Sequence, residues 1–293
     1  MPNTLDKSYV QSGPWRDGVF KGKVVFVTGG AGTICRVQTE AMVLLGAKAA
    51  IIGRNVEKTK KAAAEIAELG DSADCVLGIG GVDVREVADL KRAVEETVAA
   101  FGRIDYVIAG AAGNFLADFT NLSPRAFKTV VDIDLVGSYN TVKATLSELA
   151  KNKGAVLFVS ATLHYTGTPL QAHVSAAKAG VDALSNVLAV ELGPLGIRCN
   201  CIAPGLIGGT EGVERLSGGL SVAEAVKKIP LQRQGYTKDI ADGTVYLFSP
   251  AASYTTGTTL VVDGGAWHLG NLMGTHFFPE FLKSKQNVLK SKF

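Results

Sequence analysis

Val24-Val25-Phe26-Val27-Thr28-Gly29-Gly30-Ala31-Gly32-Thr33-Ile34 is an apolar run that empties into a glycine-rich turn. Beyond it, Arg36 to Leu45 carries apolar residues at helical spacing, Val37, Ala41, Leu44 and Leu45, so the turn joins a buried strand to a helix N-terminus. Unpaired N–H groups point outward there and attract phosphate; the alternative reading is a plain tight turn.

Working outward, Ala47 to Ile52 predicts a second buried strand and Glu57 to Leu69 an alanine-rich amphipathic helix. Cys75 to Val82 predicts a strand with Asp83-Val84 at its mouth, Val87 to Phe101 a helix, and Ile104 to Ala109 a strand that opens into Gly110-Ala111-Ala112-Gly113-Asn114. Small residues there let the backbone approach a bound molecule closely. Further on come a strand at Ala155 to Ser160, a long helix at Gln171 to Leu192 carrying Lys178, strands at Ile197 to Ile202 and Thr258 to Val262, and a helix at Asp239 to Phe248. Strand and helix alternate throughout, which predicts an α/β chain with one Rossmann-like, doubly wound domain: a parallel sheet with helices on both faces. Ligands in such sheets sit beyond the carboxyl ends of the strands, where Gly29, Arg54, Asp83 and Gly110 all fall. The expected organisation is an arm at 1–21, the domain at 22–270 and a tail at 271–293.

The 293 residues, 47% hydrophobic and 19% charged, suit one large domain with a substantial core. Thirty basic against 27 acidic residues leave +3, too little for an electrostatic nucleic-acid or membrane binder. Cys35, Cys75, Cys199 and Cys201 lack a zinc-type array; Cys199 and Cys201, two apart in a strand, read as small core fillers, and a reducing compartment is implied, so no metal is expected. No initial apolar segment resembles a signal peptide, and no apolar run is long enough for a membrane span.

The second strand decides the dinucleotide. A carboxylate at its end would accept the ribose 2′-hydroxyl of NAD; Arg54 stands there instead, with Arg36 just past the glycine turn. Two cations favour the extra phosphate of NADPH over ordinary surface charge. Asp83 is placed to accept from the adenine amino group, and Arg85 reads either as a contact to a second anion or as a solvated arginine. Pro204-Gly205-Leu206-Ile207 bends away beside the expected nicotinamide, and the loop through Gly218-Gly219 is glycine-rich enough to act as a lid. His164 and His173 read as structural histidines.

Thr28-Gly29 with the glycines after it, Asp83-Val84, Gly110-Ala111-Ala112-Gly113, Phe158-Val159-Ser160, Lys178 in its Ala-Ala-Lys-Ala-Gly setting, Asn200 to Gly205 and Val262-Asp263-Gly264-Gly265 together resemble the short-chain dehydrogenase/reductase family over roughly Lys21 to Gly265. Two departures lie in the turn, where the family pattern puts glycine at Thr33 and Cys35. The larger one lies at the chemistry: the family's tyrosine, four residues before the lysine, falls at Val174, its serine near Ala161 between Ser160 and Thr162, and its asparagine at Asp134. Valine moves no proton, so an ordinary alcohol dehydrogenase is not expected.

The constellation is similar to the 2,4-dienoyl-CoA reductases, most closely to the peroxisomal kind. The similarity rests on Ala112 to Leu116, Leu122 to Lys128, Asp132-Ile133-Asp134, Ala161 to Tyr165 and the missing tyrosine. It implies NADPH-dependent reduction of trans-2,4-dienoyl-CoA to trans-3-enoyl-CoA, an auxiliary step in β-oxidation of unsaturated fatty acids. It further implies Asp134 and Lys178 as catalytic residues. Gly29, Gly30, Ala31, Gly32, Thr33, Ile34, Arg54, Asp83, Gly110, Lys178, Pro204, Gly205, Ile207 and Thr210 match cofactor positions. Phe115, Ser123, Pro124 and Arg125 match acyl-CoA contacts, and Arg85 and Arg215 match basic residues that meet the coenzyme A portion. The Val262 to His268 end resembles a part that packs between subunits, implying a homodimer or homotetramer. Ser291-Lys292-Phe293 resembles the Ser-Lys-Leu address read by the peroxisomal import receptor. Two other readings stay open: a carbonyl or 3-oxoacyl reductase with a displaced acid, and a non-catalytic NADPH-binding protein.

Overall fold

The structure, a computed structural model, describes residues 4–11, 13–210 and 222–269. Seven parallel strands form one sheet: β1 (Val24–Thr28), β2 (Lys48–Ile52), β3 (Val76–Ile79), β4 (Tyr106–Ala109), β5 (Ala155–Val159), β6 (Arg198–Pro204) and β7 (Thr259–Val262), in the order β3-β2-β1-β4-β5-β6-β7. The chain winds outward from β1 to β3, then returns to pair β4 with β1 in the register Val25 to Tyr106 and Thr28 to Ala109. That reversal opens a crevice beyond the ends of β1 and β4, the place where such sheets take ligands.

Parallel strands need both faces covered, and alternate side chains meet the two helical layers. Val25 and Val27 pack with Ile51, Ile108 and Leu157 on one face, beneath α1 (Thr33–Leu44), α2 (Val56–Ala67) and a helix late in the chain at Thr237–Phe248. Phe26 packs with Ala50, Val107 and Phe158 on the other, beneath α3 (Val87–Phe101), α5 (Gly137–Asn152) and α6 (Ala172–Leu192), while α4 (Pro124–Val131) lies against α6. The late helix at Thr237–Phe248 is α7.

Two boundaries differ from the sequence reading where the site is made. Helix α1 begins at Thr33, three residues earlier than Arg36, because Gly29 at φ +72° turns the chain at once and Gly32 N is bonded to the Gly29 carbonyl at 2.8 Å. Between α4 and α5 the backbone widens into a π turn, Asp132–Val136, which hydropathy alone does not announce.

Outside the crevice, residues of the N-terminal arm reach the body. Tyr9 Oη and Trp15 Nε1 both donate to Asp242 Oδ1 at 2.9 Å, and Leu5 N donates to Glu40 Oε2 at 2.8 Å. The Arg215 position, the Gly218-Gly219 lid and the Ser291-Lys292-Phe293 end lie outside the described residues.

The start of β1 is fixed by Asp105, 1% exposed, which accepts from Val24 N and Lys23 Nζ at 3.0 Å and from Arg103 at 2.6 and 2.8 Å. Removing that carboxylate leaves a buried N–H without a partner, so Asp105→Ala is expected to lower the unfolding free energy by about 2–4 kcal/mol. Urea denaturation checks this, and an unchanged midpoint would contradict it.

Candidate active site

A cleft of about 760 Å³ lies in the crevice. Gly29, Ala31, Gly32, Thr33 and Ile34 line it from the β1–α1 turn, Arg54 from the end of β2, Asp83 from the end of β3, Gly110 from the end of β4, and Thr210 from the chain after β6. Bare backbone is required here: a Cβ on Gly29 would stand 2.9 Å from the Gly110 carbonyl oxygen, and one on Gly110 would stand 2.2 Å from Cys35 Sγ. The α1 N-cap, Gly32, has no side chain to satisfy the first helical N–H groups, which therefore await an external acceptor. This bare, phosphate-seeking turn fits a dinucleotide. The thiol occupying the family's glycine position fills the space behind Gly110, and burial pushes it up to about 12 despite nearby Lys178.

Gly30, Pro204, Gly205 and Ile207 do not line the cleft. A Cβ on Gly30 would stand 2.6 Å from Ile51 Cβ and one on Gly205 2.4 Å from Asp263 Cβ, so both glycines serve close packing, and Ile207 is buried.

Of the two arginines assigned to the extra phosphate, only Arg54 reaches the cleft. Arg36 is a correction: its guanidinium donates to Glu40 at 2.8 Å and Glu65 at 2.6 Å, because the i to i+4 spacing on α1 and the neighbouring α2 supply carboxylates. Asn55, Lys58 and Thr59 line the cleft beside Arg54 and were missed by the sequence reading. The signal for them is local: Asn55 caps α2, accepting from Lys58 N at 2.8 Å, which turns the first helical residues toward the crevice.

Asp83 and Arg85 hold each other through two side-chain contacts, Nε to Oδ1 at 2.9 Å and Nη2 to Oδ2 at 2.5 Å. That pairing keeps the Asp83 carboxyl below the usual carboxylate range. Neither earlier reading of Arg85 included this partner. Asn140 Nδ2 pins the same corner by donating to the Val84 carbonyl at 3.0 Å.

Deeper in, the chemistry-bearing groups converge. Asp134, on the π turn, is fully buried; its Oδ1 accepts from Gly113 N at 2.7 Å and its Oδ2 lies 3.1 Å from Lys178 Nζ. Lys178, on the second turn of α6, also donates to the Val159 carbonyl at 2.9 Å. Asp134 is therefore a buried carboxylate and not a helix-surface one. Val174 is buried. Tyr165, the nearest tyrosine in sequence, turns its hydroxyl to Asp182 Oδ2 at 3.1 Å, which also receives His164 Nε2 at 2.9 Å. His164 is thus a structural histidine.

His173 is not one of that kind. It is fully buried beside Phe115, ring centroids 4.3 Å apart and edge to face, and neither ring nitrogen has a well-aligned hydrogen bond. Burial holds its imidazole below the ordinary value, although the Asp134 carboxylate pulls the other way. Phe115 itself remains 39% exposed, free to face a ligand. Ser123 caps α4, accepting from Ala126 N at 3.2 Å, Pro124 is the first helical residue, and Arg125 lies exposed on that first turn.

The family described as Enoyl-(Acyl carrier protein) reductase matches residues 29–267. The peroxisomal 2,4-dienoyl-CoA reductase of Saccharomyces cerevisiae is 65% identical over 280 residues, 96% of each chain. The peroxisomal 2,4-dienoyl-CoA reductase of Danio rerio is 43% identical over 84% of this chain and 81% of its own. A solved short chain dehydrogenase from Bacillus anthracis superposes with a TM-score of 0.76 at 34% identity, covering 85% of this chain and 97% of its own. The chain belongs to the short-chain dehydrogenase/reductase family. It is an oxidoreductase that works with a nicotinamide cofactor, and both relatives named above are peroxisomal 2,4-dienoyl-CoA reductases.

Cys35, Cys199 and Cys201 are each pushed up to about 12 by burial, so at pH 8 roughly one part in 10⁴ of each is thiolate. Iodoacetamide at that pH is expected to leave all three unmodified in the folded protein and to label them after denaturation. Rapid native labelling of Cys35, read by mass spectrometry, would contradict its assignment as a packing group.

Proposed function

We propose that the chain is an NADPH-dependent 2,4-dienoyl-CoA reductase converting trans-2,4-dienoyl-CoA to trans-3-enoyl-CoA. The observation that carries this reading is the buried Asp134–Lys178 pair beside a valine where a phenol would stand. A ketone reducer must deliver a proton to an oxygen at the hydride's own carbon, and Val174 has none to give. A conjugated thioester needs its proton on another carbon, and a water held by a carboxylate and an ammonium is enough for that. A non-catalytic scaffold would have no reason to bury an acidic residue against the lysine.

When bound, NADPH supplies the hydride that reaches the δ carbon of the dienoyl group. The substrate's electrons then shift to make a bond between the γ and β carbons and to load the α carbon and the thioester oxygen. Lys178, 6% exposed, adds positive potential where that charge collects, at low dielectric cost because its Val159 and Asp134 contacts are already formed. Asp134 orients a water through Oδ2, its Oδ1 being held by Gly113 N, and a proton from that water goes to the α carbon. Phe115 offers an apolar wall to the acyl chain, and Ser123, Pro124 and Arg125 are assigned to the acyl-CoA by their match to the family's contact positions.

At the other end, Arg54 is exposed and makes no ion pair among the described residues, which supports the choice of NADPH over NADH. The similarity to peroxisomal relatives, together with the Ser291-Lys292-Phe293 end, supports a peroxisomal location through the import receptor, and the Val262 to His268 end supports a homodimer or homotetramer. No helix among the described residues is long and apolar enough to cross a membrane.

Hexa-2,4-dienoyl-CoA with NADPH tests the reading in one cuvette. Loss of both dienoyl and NADPH absorbance is expected; NADPH loss with a 3-oxoacyl-CoA alone would assign a carbonyl reductase, and binding without turnover of either would assign a scaffold. Arg54→Ala is expected to raise the KM for NADPH about tenfold and leave that for NADH within about twofold, as befits loss of one phosphate contact. Equal effects on both cofactors would contradict the phosphate assignment.

A further inference from the structure

Buried polar groups normally find partners, and a cluster of them without partners marks a place where something else binds. Beside the Asp134–Lys178 pair such a cluster exists: Asp134 Oδ2 makes no aligned hydrogen bond, Ser160 Oγ makes none, and neither ring nitrogen of His173 does, the Phe115 backbone offering only a misaligned contact. His173 and Ser160 are the members whose chemistry the mechanism has not used, and His173 is the titratable one. It sits on the first turn of α6, five residues before Lys178, with no exposed surface. The strand-end segment that carries Gly113, the donor to Asp134 Oδ1, also carries Phe115, against whose ring the imidazole packs at 4.3 Å. One stretch of backbone therefore gathers the carboxylate, the imidazole and the aromatic wall.

We propose that His173 is a positioning residue of the reduction: one ring N–H holds, together with Asp134 Oδ2, the water that protonates the α carbon. The proposal rests on the dienoyl-CoA reading of the site. A neutral imidazole presents one N–H donor, and that donor on the water oxygen with the Asp134 carboxylate on one of its O–H groups fixes the water's orientation. Burial keeps the ring in that neutral form. In the step, an O–H bond of the water breaks as the C–H bond at the α carbon forms; the ring N–H donates to the oxygen as it becomes hydroxide, and bulk water restores the proton. One solvent proton is consumed per hydride, and the imidazole ends as it began. Phe115 packing against the ring fixes its plane, so the apolar wall and the water are set by the same contact.

Two variants separate this role from simple packing. His173→Leu keeps most of the volume and removes both nitrogens; His173→Gln keeps a donor and an acceptor. With hexa-2,4-dienoyl-CoA, the leucine variant is expected to lose about 10²-fold in kcat, with KM and the NADPH dissociation constant each within about threefold of the parent. Its solvent deuterium isotope effect on kcat should rise, because proton delivery becomes slower than hydride transfer, and the glutamine variant should recover at least about tenfold of the loss. Parental kcat in the leucine variant would overturn the proposal, and so would equal losses in both variants with an unchanged isotope effect. Failure of the unsubstituted enzyme to turn over the dienoyl-CoA would instead overturn the functional reading, so the two failures are distinguishable.

Discussion

A carboxylate and an ammonium buried 3.1 Å apart are the constraint around which the rest of the site is arranged. Taking both charges out of water is costly, and their mutual attraction offsets the cost only if the remaining hydrogen-bonding capacity is used. Here Gly113 N at the mouth of β4 and the Val159 carbonyl at the end of β5 use part of it. The end of β4, the end of β5, the π turn and α6 must therefore converge within a few ångströms. The π turn is the local distortion that allows a helix passing the sheet to bring Asp134 into that convergence.

The cleft runs to Arg54 from Ile133 and Val159, which adjoin this pair in the chain and through the Lys178 hydrogen bond, and the two ends solve different problems. At the outer end bare glycine backbone, an uncapped helix start and an exposed cation suit phosphate groups. At the inner end water is scarce, so a single oriented molecule and a single ammonium carry weight that they would lack in bulk solvent. Between them the thiol of Cys35 fills the space behind Gly110, within 3.8 Å of its carbonyl oxygen.

Much of this was legible in the residues. Apolar runs and helical spacing locate every strand of the sheet, and the alternation fixes the crevice beyond β1 and β4. The order of motifs brings Asp134 and Lys178 together although 44 positions separate them by their numbers. What was not legible depends on partners from distant elements. Arg36 is captured by Glu65 of the neighbouring helix, Asp83 and Arg85 engage each other, and His173 lacks a partner only once its surroundings are folded. The start of α1 was placed late because Thr33 and Ile34 read as turn residues until the left-handed Gly29 fixes where the turn ends. Lys58 and Thr59 carry no motif of their own in the sequence, and the Asn55 cap is what sets them against the cleft.

If the proton comes from water held at a buried carboxylate, removing that carboxylate must damage the chemistry while sparing the dinucleotide. The direct measurement is kcat for dienoyl-CoA reduction by Asp134→Ala set against its NADPH dissociation constant. Turnover is predicted to fall by about 10²-fold or more, with cofactor affinity within about threefold of the parent. Parental turnover in that variant would contradict the account.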